Sequence, residues 1–161
     1  MKLQKGIIAL FLFIGFGLST LTIDAQPALR LKSRRVLKRT TVALMVARNH
    51  LRKHRNFTGD FARAVAHQRY AFRLHKRGRY PRAIYHSRRA RLLAFKVIKA
   101  NKGTVGRDMQ FNKEENTVSK GAPSDDELDK ELEKEMPNSS SDEEKLIDED
   151  LGDIYFAPTK E

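Results

Sequence analysis

Between about Ala28 and Arg55, apolar or small side chains recur at steps of three and four: Val36, Leu37, Thr40, Leu44, Ala47 and Leu51. Arg34, Arg35, Lys38, Arg39, Arg48, Arg52 and Lys53 fill the intervening positions. This spacing predicts one long amphipathic helix with a basic outer face. No Pro or Gly interrupts it, and the β-branched run Thr40-Thr41-Val42 is too short to break it. Gly59 ends the pattern, with Thr58 or Asp60 able to cap the next helix. That second helix is expected over 60–76, with Phe61, Ala64, Val65, Ala71, Phe72 and Leu74 as its apolar positions. Gly78 supplies a left-handed residue past its end, and Pro81 opens a third helix over 81–101. Ala83, Ile84, Ala90, Leu93, Ala94, Val97 and Ile98 form that helix's apolar face, and Asn101-Lys102-Gly103 stops it. The fold class is therefore all-α, a short bundle of three helices.

The ends of the chain read differently. Lys2 and Lys5 precede an apolar run from Gly6 to Leu18, and a small residue stands at Ala25. That layout is a secretory signal peptide over 1–25, cut between Ala25 and Gln26. The run is shorter than the roughly 20 residues a membrane span needs, so cleavage is favoured over a retained anchor. The expected location is periplasmic or secreted. Residues 104–123 are polar with no sustained period and read as a linker. In the acidic tail, 124–161, Ser124 and Glu127 form a capping-box pattern ahead of Leu128, Leu132 and Met136. A second such pattern, Ser141 with Glu144, precedes Leu146, Ile147 and Leu151. Blocks of like charge usually stay solvated, so the tail is expected to be largely disordered, with short amphipathic helices as the alternative. In that alternative, Ile154, Tyr155 and Phe156 are its apolar anchor on the basic helices.

Charge sharpens this division. The chain of 161 residues carries a net +12. Residues 26–113 hold 25 basic and 2 acidic residues, net +23, whereas 114–161 hold 5 basic and 17 acidic, net −12. A small core of such charge is marginal on its own unless an anion, a partner or the tail offsets the repulsion.

The turn Gly78-Arg79-Tyr80-Pro81, followed by Ala83 and Ala90, resembles the second half of a tetratricopeptide (TPR) repeat. The similarity spans about 64–95, one repeat, with Ala71 at a small-residue position. His67 stands where that family has an aromatic residue, Ser87 replaces a larger packing residue, and Phe95 falls at the terminal Pro. The resemblance implies a helical hairpin; because one hairpin cannot bury its faces alone, the first helix is expected to cover its open flank.

Catalytic chemistry is hard to find. The basic segment has only Asp60 and Asp108 as carboxylates, no nucleophile–base arrangement is visible, and no Gly-rich phosphate loop occurs. With no Cys, disulfides and thiolate sites are excluded. His50 and His54 have a metal-compatible spacing, but Arg48, Arg52, Lys53 and Arg55 would repel a dication. No cofactor, metal or small-molecule substrate is expected.

The candidate binding residues are therefore the cations Arg34, Arg35, Lys38, Arg39, Arg52, Lys53, Arg79, Arg82, Arg88, Arg89 and Arg91. Arg forks suit phosphate and carboxylate, and Tyr80 and Tyr85 offer stacking faces among them. They point to a non-enzymatic exported protein binding an acidic protein surface, its own acidic tail, or an anionic polymer or lipid. Two other readings are a cationic membrane-active precursor masked by its tail, and a homo-oligomer pairing the basic core of one chain with the acidic tail of another.

Overall fold

The computed structural model describes residues 25–139 and 142–155. The expected signal segment, apart from the backbone of Ala25, and Phe156 lie outside the described residues. Three long helices dominate: α1 (Ala25–His54), α2 (Asp60–Lys76) and α3 (Tyr80–Ala100). Three short ones follow, α4 (Lys113–Val118), α5 (Asp125–Glu135) and α6 (Glu143–Leu146), with 3-10 turns at Arg107–Met109 and Gly152–Ile154. The described residues contain no strand, so the fold is all-α as expected. None of their helices is long and apolar enough to cross a membrane.

Cross-helix bonds fix the topology. Ser33 meets His75, and Gln68 donates to the Leu37 carbonyl, so α1 and α2 run antiparallel. The three-residue turn between Lys76 and Tyr80 folds α3 back along α2 as an antiparallel hairpin, in which His67 meets His86 and Gln68 meets Ser87. Thr40 bonds Ser87 and Asn56 bonds Asn101, which sets α1 and α3 parallel. The hairpin turns through Gly78 at φ +75°, a left-handed conformation that a Cβ would strain.

The core interdigitates the predicted apolar faces: Leu37, Leu44 and Leu51 from α1, Phe61 and Val65 from α2, and Leu93, Val97 and Ile98 from α3. A buried polar seam runs through it. Ser87 Oγ lies 2.9 Å from both Thr40 Oγ1 and Gln68 Oε1, and Gln68 Nε2 reaches the Leu37 carbonyl at 3.0 Å. His67 and Ser87, the two positions that lack the expected large packing residue, thus serve interhelical hydrogen bonds. Each member of the seam finds a partner in a facing helix, which fixes register as well as stability.

The tail departs from expectation. Where the sequence predicts a largely disordered segment, residues 124–139 and 142–155 are packed on the bundle. The physical reason is that charge and apolar burial act together. Leu146, Ile147, Leu151 and Ile154 are each at most 1 % exposed and belong to the same core cluster as Leu44 and Phe61. Burying four such side chains is worth several kcal/mol, at about 1.5–3 kcal/mol each. Leu128 and Leu132 of α5 are buried too, with Leu132 against Tyr70, Leu74 and Ala83.

The capping signals resolve unequally. Ser124 and Glu127 form the expected box at α5. At α6 the cap is Asp142, which accepts from the Lys145 N–H, one residue beyond the predicted Ser141. Residues 104–123, expected as a linker, hold α4, whose own box joins Asn112 and Glu115.

Candidate polyanion interface

The predicted cations separate into those that the chain's own carboxylates engage and those that they do not. Arg89 of α3 is 6 % exposed and grips Asp129 of α5 with two prongs, Nε to Oδ1 at 2.8 Å and Nη2 to Oδ2 at 2.7 Å. Its third nitrogen, Nη1, donates to Asp125 at 2.7 Å. This geometry is the bidentate fork that makes Arg–carboxylate pairs strong. Arg63 adds a further bond to Asp129 at 2.6 Å. Arg82 meets Glu131 at 2.8 Å.

Arg91 is buried outright. Its Nη2 lies 2.9 Å from Glu115 Oε1 and 3.0 Å from the Val36 carbonyl, while Nε donates to Thr40 at 3.0 Å. Arg39 closes on the same carboxylate at 2.9 Å and also donates to the carbonyls of Asp108 and Gln110. A guanidinium at zero exposure requires this complete set of acceptors, because an unpaired buried charge is strongly destabilising. Arg88 stacks over the Phe111 ring at 3.9 Å and donates to Asn116. Arg52 pairs with Asp148 at 3.3 Å on an exposed rim.

Six of the eleven predicted cations, Arg35, Arg39, Arg52, Arg82, Arg89 and Arg91, therefore face acids of the chain itself, and all of those acids lie at Glu114 or beyond. Arg89 and Arg91 are too enclosed to offer a surface to an external polyanion. Arg34 is half-buried on α1. Lys38, Lys53 and Arg79 are exposed and form no ion pair among the described residues. Arg35 is exposed and makes only a 3.9 Å approach to Glu114.

Several contacts have no signal in the sequence. Arg48, assigned only to the basic face of α1, donates from Nε to the Ile147 carbonyl at 2.7 Å and from Nη2 to the Glu149 carbonyl at 2.5 Å. Glu143 reaches the first turn of α2, where Gly59 offers no side-chain cap, and accepts from Phe61 N–H at 2.6 Å and Ala62 N–H at 3.3 Å. A carboxylate at a helix N-terminus satisfies open donors and complements the helix dipole. No spacing rule announces a cap arriving from more than 80 residues away.

His67 and His86 form a linked pair in the hairpin. Both are buried, with their Nδ1 atoms 3.0 Å apart. His67 Nε2 lies 3.0 Å from Asp129 Oδ1, and His86 Nε2 lies 3.5 Å from Glu131 Oε2. Asp129 accepts only, so the proton on His67 sits on Nε2; its bare Nδ1 then accepts from His86 Nδ1–H. Burial pushes the His67 imidazole down to about 3, helped by His86 and opposed by Asp129. Burial likewise lowers His86 to about 4 against the pull of Glu131. Burial works to raise the Asp129 carboxyl, but the Arg89 fork and His67 prevail and bring it down to about 2.

The hairpin tip is different. Arg73, Lys76, Arg77 and Arg79 lie within seven residues, are all exposed, and form no ion pair among the described residues. His75 is half-buried there, and burial together with the charges of Arg30 and Arg34 lowers its pKa. No cluster of three or more metal-ligating side chains occurs among the described residues. Set against known families, curated proteins and solved structures, the chain matches none.

Proposed function

We propose that this is an exported, non-enzymatic helical protein that binds an acidic partner or polyanion through the cationic tip of its α2–α3 hairpin. The observation that carries the reading is selective coverage. Acidic residues of 114–155 pair with Arg39, Arg89 and Arg91 along the middle of the bundle, while Arg73, Lys76, Arg77 and Arg79 at the tip are left to solvent. A dense patch of one sign, next to a bundle middle whose cations are paired with the chain's own acids, favours an anion at the tip over that middle. The Arg-rich face thus contracts to its Arg79 end.

The masked-precursor reading receives less support. Cutting away the tail would remove Leu146, Ile147, Leu151 and Ile154 from the core, so the tail is a structural member rather than a detachable mask.

Retention on immobilised heparin or polyphosphate tests the proposal. A Lys76→Glu/Arg77→Glu/Arg79→Glu variant should elute at markedly lower salt and show a shallower salt dependence, because fewer counterions are released. A Lys96→Glu/Lys99→Glu variant, near the other end of α3 and about 25 Å away, should elute close to the parent. Equal elution of parent and tip variant would refute the assignment.

A further inference from the structure

A cleft of about 280 Å³ opens between the N-terminal half of α1, the start of α3 and α4. Its floor is apolar: Val36 and Ile84 lie at its base, and Val118 of α4 forms a wall. Lys32, Arg35 and Lys38 stand around it. The spacing of Lys32, Arg35, Val36 and Arg39 at steps of three, one and three puts them along one side of α1. Arg39, at the inner edge, already commits three of its five N–H donors to Glu115 and to the carbonyls of Asp108 and Gln110, which fixes it as part of the wall.

The outer rim is less committed. Its one remaining carboxylate, Glu114, approaches Lys32 at 3.7 Å and Arg35 at 3.9 Å, the two longest of the described ion pairs and both beyond hydrogen-bond length. Lys38 has no ion pair among the described residues and is exposed. Three cations with one loosely held acid leave the rim with a net charge of about +2, above a floor that offers almost no polar atom. Along the flank of α5, by contrast, Arg89 and Arg63 are met at short range by Asp129. At the cleft the pairing is incomplete.

We propose that this cleft is a binding site for a single-chain aliphatic anion, of the chemical class of a medium-chain fatty acid carboxylate. The alkyl chain lies on Val36, Ile84 and Val118 and along the methylene stems of Lys32 and Arg35, and the carboxylate is bracketed by Arg35 and Lys38. Long cationic side chains are suited to this double duty, with an apolar stem and a charged head. The volume falls just below the roughly 300–1,000 Å³ of ordinary small-molecule sites, which suits one short chain and excludes a two-chain lipid or a sterol. The site is separate from the hairpin tip and does not depend on anion binding there.

Calorimetric titration of the protein with decanoate, decanol and decyltrimethylammonium, each below its micelle concentration, tests the inference alongside methyl chemical shifts. Decanoate is expected to bind one to one and to shift the methyls of Val36, Ile84 and Val118, with affinity rising about two- to fourfold per methylene from hexanoate upward. An Arg35→Glu/Lys38→Glu variant, altered only at exposed positions, should lose at least tenfold in decanoate affinity while holding decanol within about twofold. The cationic amphiphile should bind the parent more weakly than decanol does. Decanoate that leaves those methyls unmoved, or that binds the variant as well as the parent, overturns the proposal. So does loss of decanoate binding in the tip variant with the cleft intact, which would assign the anion to the hairpin tip.

Discussion

Arg89 and Asp129 meet through two parallel hydrogen bonds of 2.8 and 2.7 Å, joining the middle of α3 to the middle of α5. Both side chains are shielded, at 7 % and 13 % exposure, and Asp129 also receives His67 and Arg63. Breaking one member of such a pair leaves a buried charge without compensation, which costs on the order of 3 kcal/mol. Asp129→Asn should lower the urea midpoint accordingly. Asp126→Asn, at an exposed position on the same helix, should change stability by less than about 0.5 kcal/mol.

Glu143 and the first turn of α2 give an independent prediction. The carboxylate accepts from Phe61 N–H and Ala62 N–H in place of a local cap, so Glu143→Ala should cost about 1–2 kcal/mol. Amide exchange at Phe61 and Ala62 should speed up along with it. Glu144→Ala removes only the exposed pair with Arg55 and should be nearly silent.

The buried imidazoles set the acid response. His67 and His86 titrate in the fold near 3 and 4, well below their ordinary 6.5, so the unfolded chain binds more protons as pH falls beneath 6.5. Stability is then complete above about 6.5 and declines as pH drops toward 4, by about 1 kcal/mol per pH unit for each histidine. Asp129 acts later with the same outcome: its folded pKa near 2 is below the ordinary 3.8, and its contribution fades from pH 3.8 downward. Denaturation curves at pH 7, 5.5 and 4.5 should show a steep loss of stability, and His86→Gln should flatten it. A midpoint constant between pH 7 and 4.5 contradicts the burial of these rings.

The three long helices can be read in the sequence because their apolar positions repeat at helical spacing and their ends carry chemical signals such as Gly59, Gly78 and Pro81. The hairpin turn through Gly78 obeys the same logic. The tail cannot be read as well, since blocks of acid argue for solvation when taken alone. What orders them is a property of the pair, the fit of Asp129 to Arg89 and of Leu151 to the core shared with the long helices, and no single segment displays it. Glu115 has a legible local signal, the Asn112–Glu115 capping box, but nothing local indicates that Arg91 waits for it in the core. Charge alone does not sort the basic residues. Burial divides them into Arg89 and Arg91, which hold the fold, and Arg77 and Arg79, which face solvent.

Salt should separate the two kinds of attachment. The Arg52–Asp148 and Arg55–Glu144 pairs are exposed and are screened at 1 M salt, where the Debye length falls to about 3 Å. Leu146, Ile147 and Ile154 are insensitive to salt, so the tail should stay docked, with limited proteolysis near Asp148 rising only a few-fold. Release of the tail at 1 M salt would mean that charge alone holds it.

The most direct measurement compares thermal unfolding of the intact protein with that of a chain ending at residue 122. If the acidic segment completes the core, the truncated chain loses the partners of Arg89 and Arg48 and the four buried residues Leu146, Ile147, Leu151 and Ile154. It should then show no cooperative transition and bind a hydrophobic dye, as expanded states with exposed apolar surface do. A sharp transition at the same temperature as the intact protein would contradict the account and return the tail to the role of a free arm.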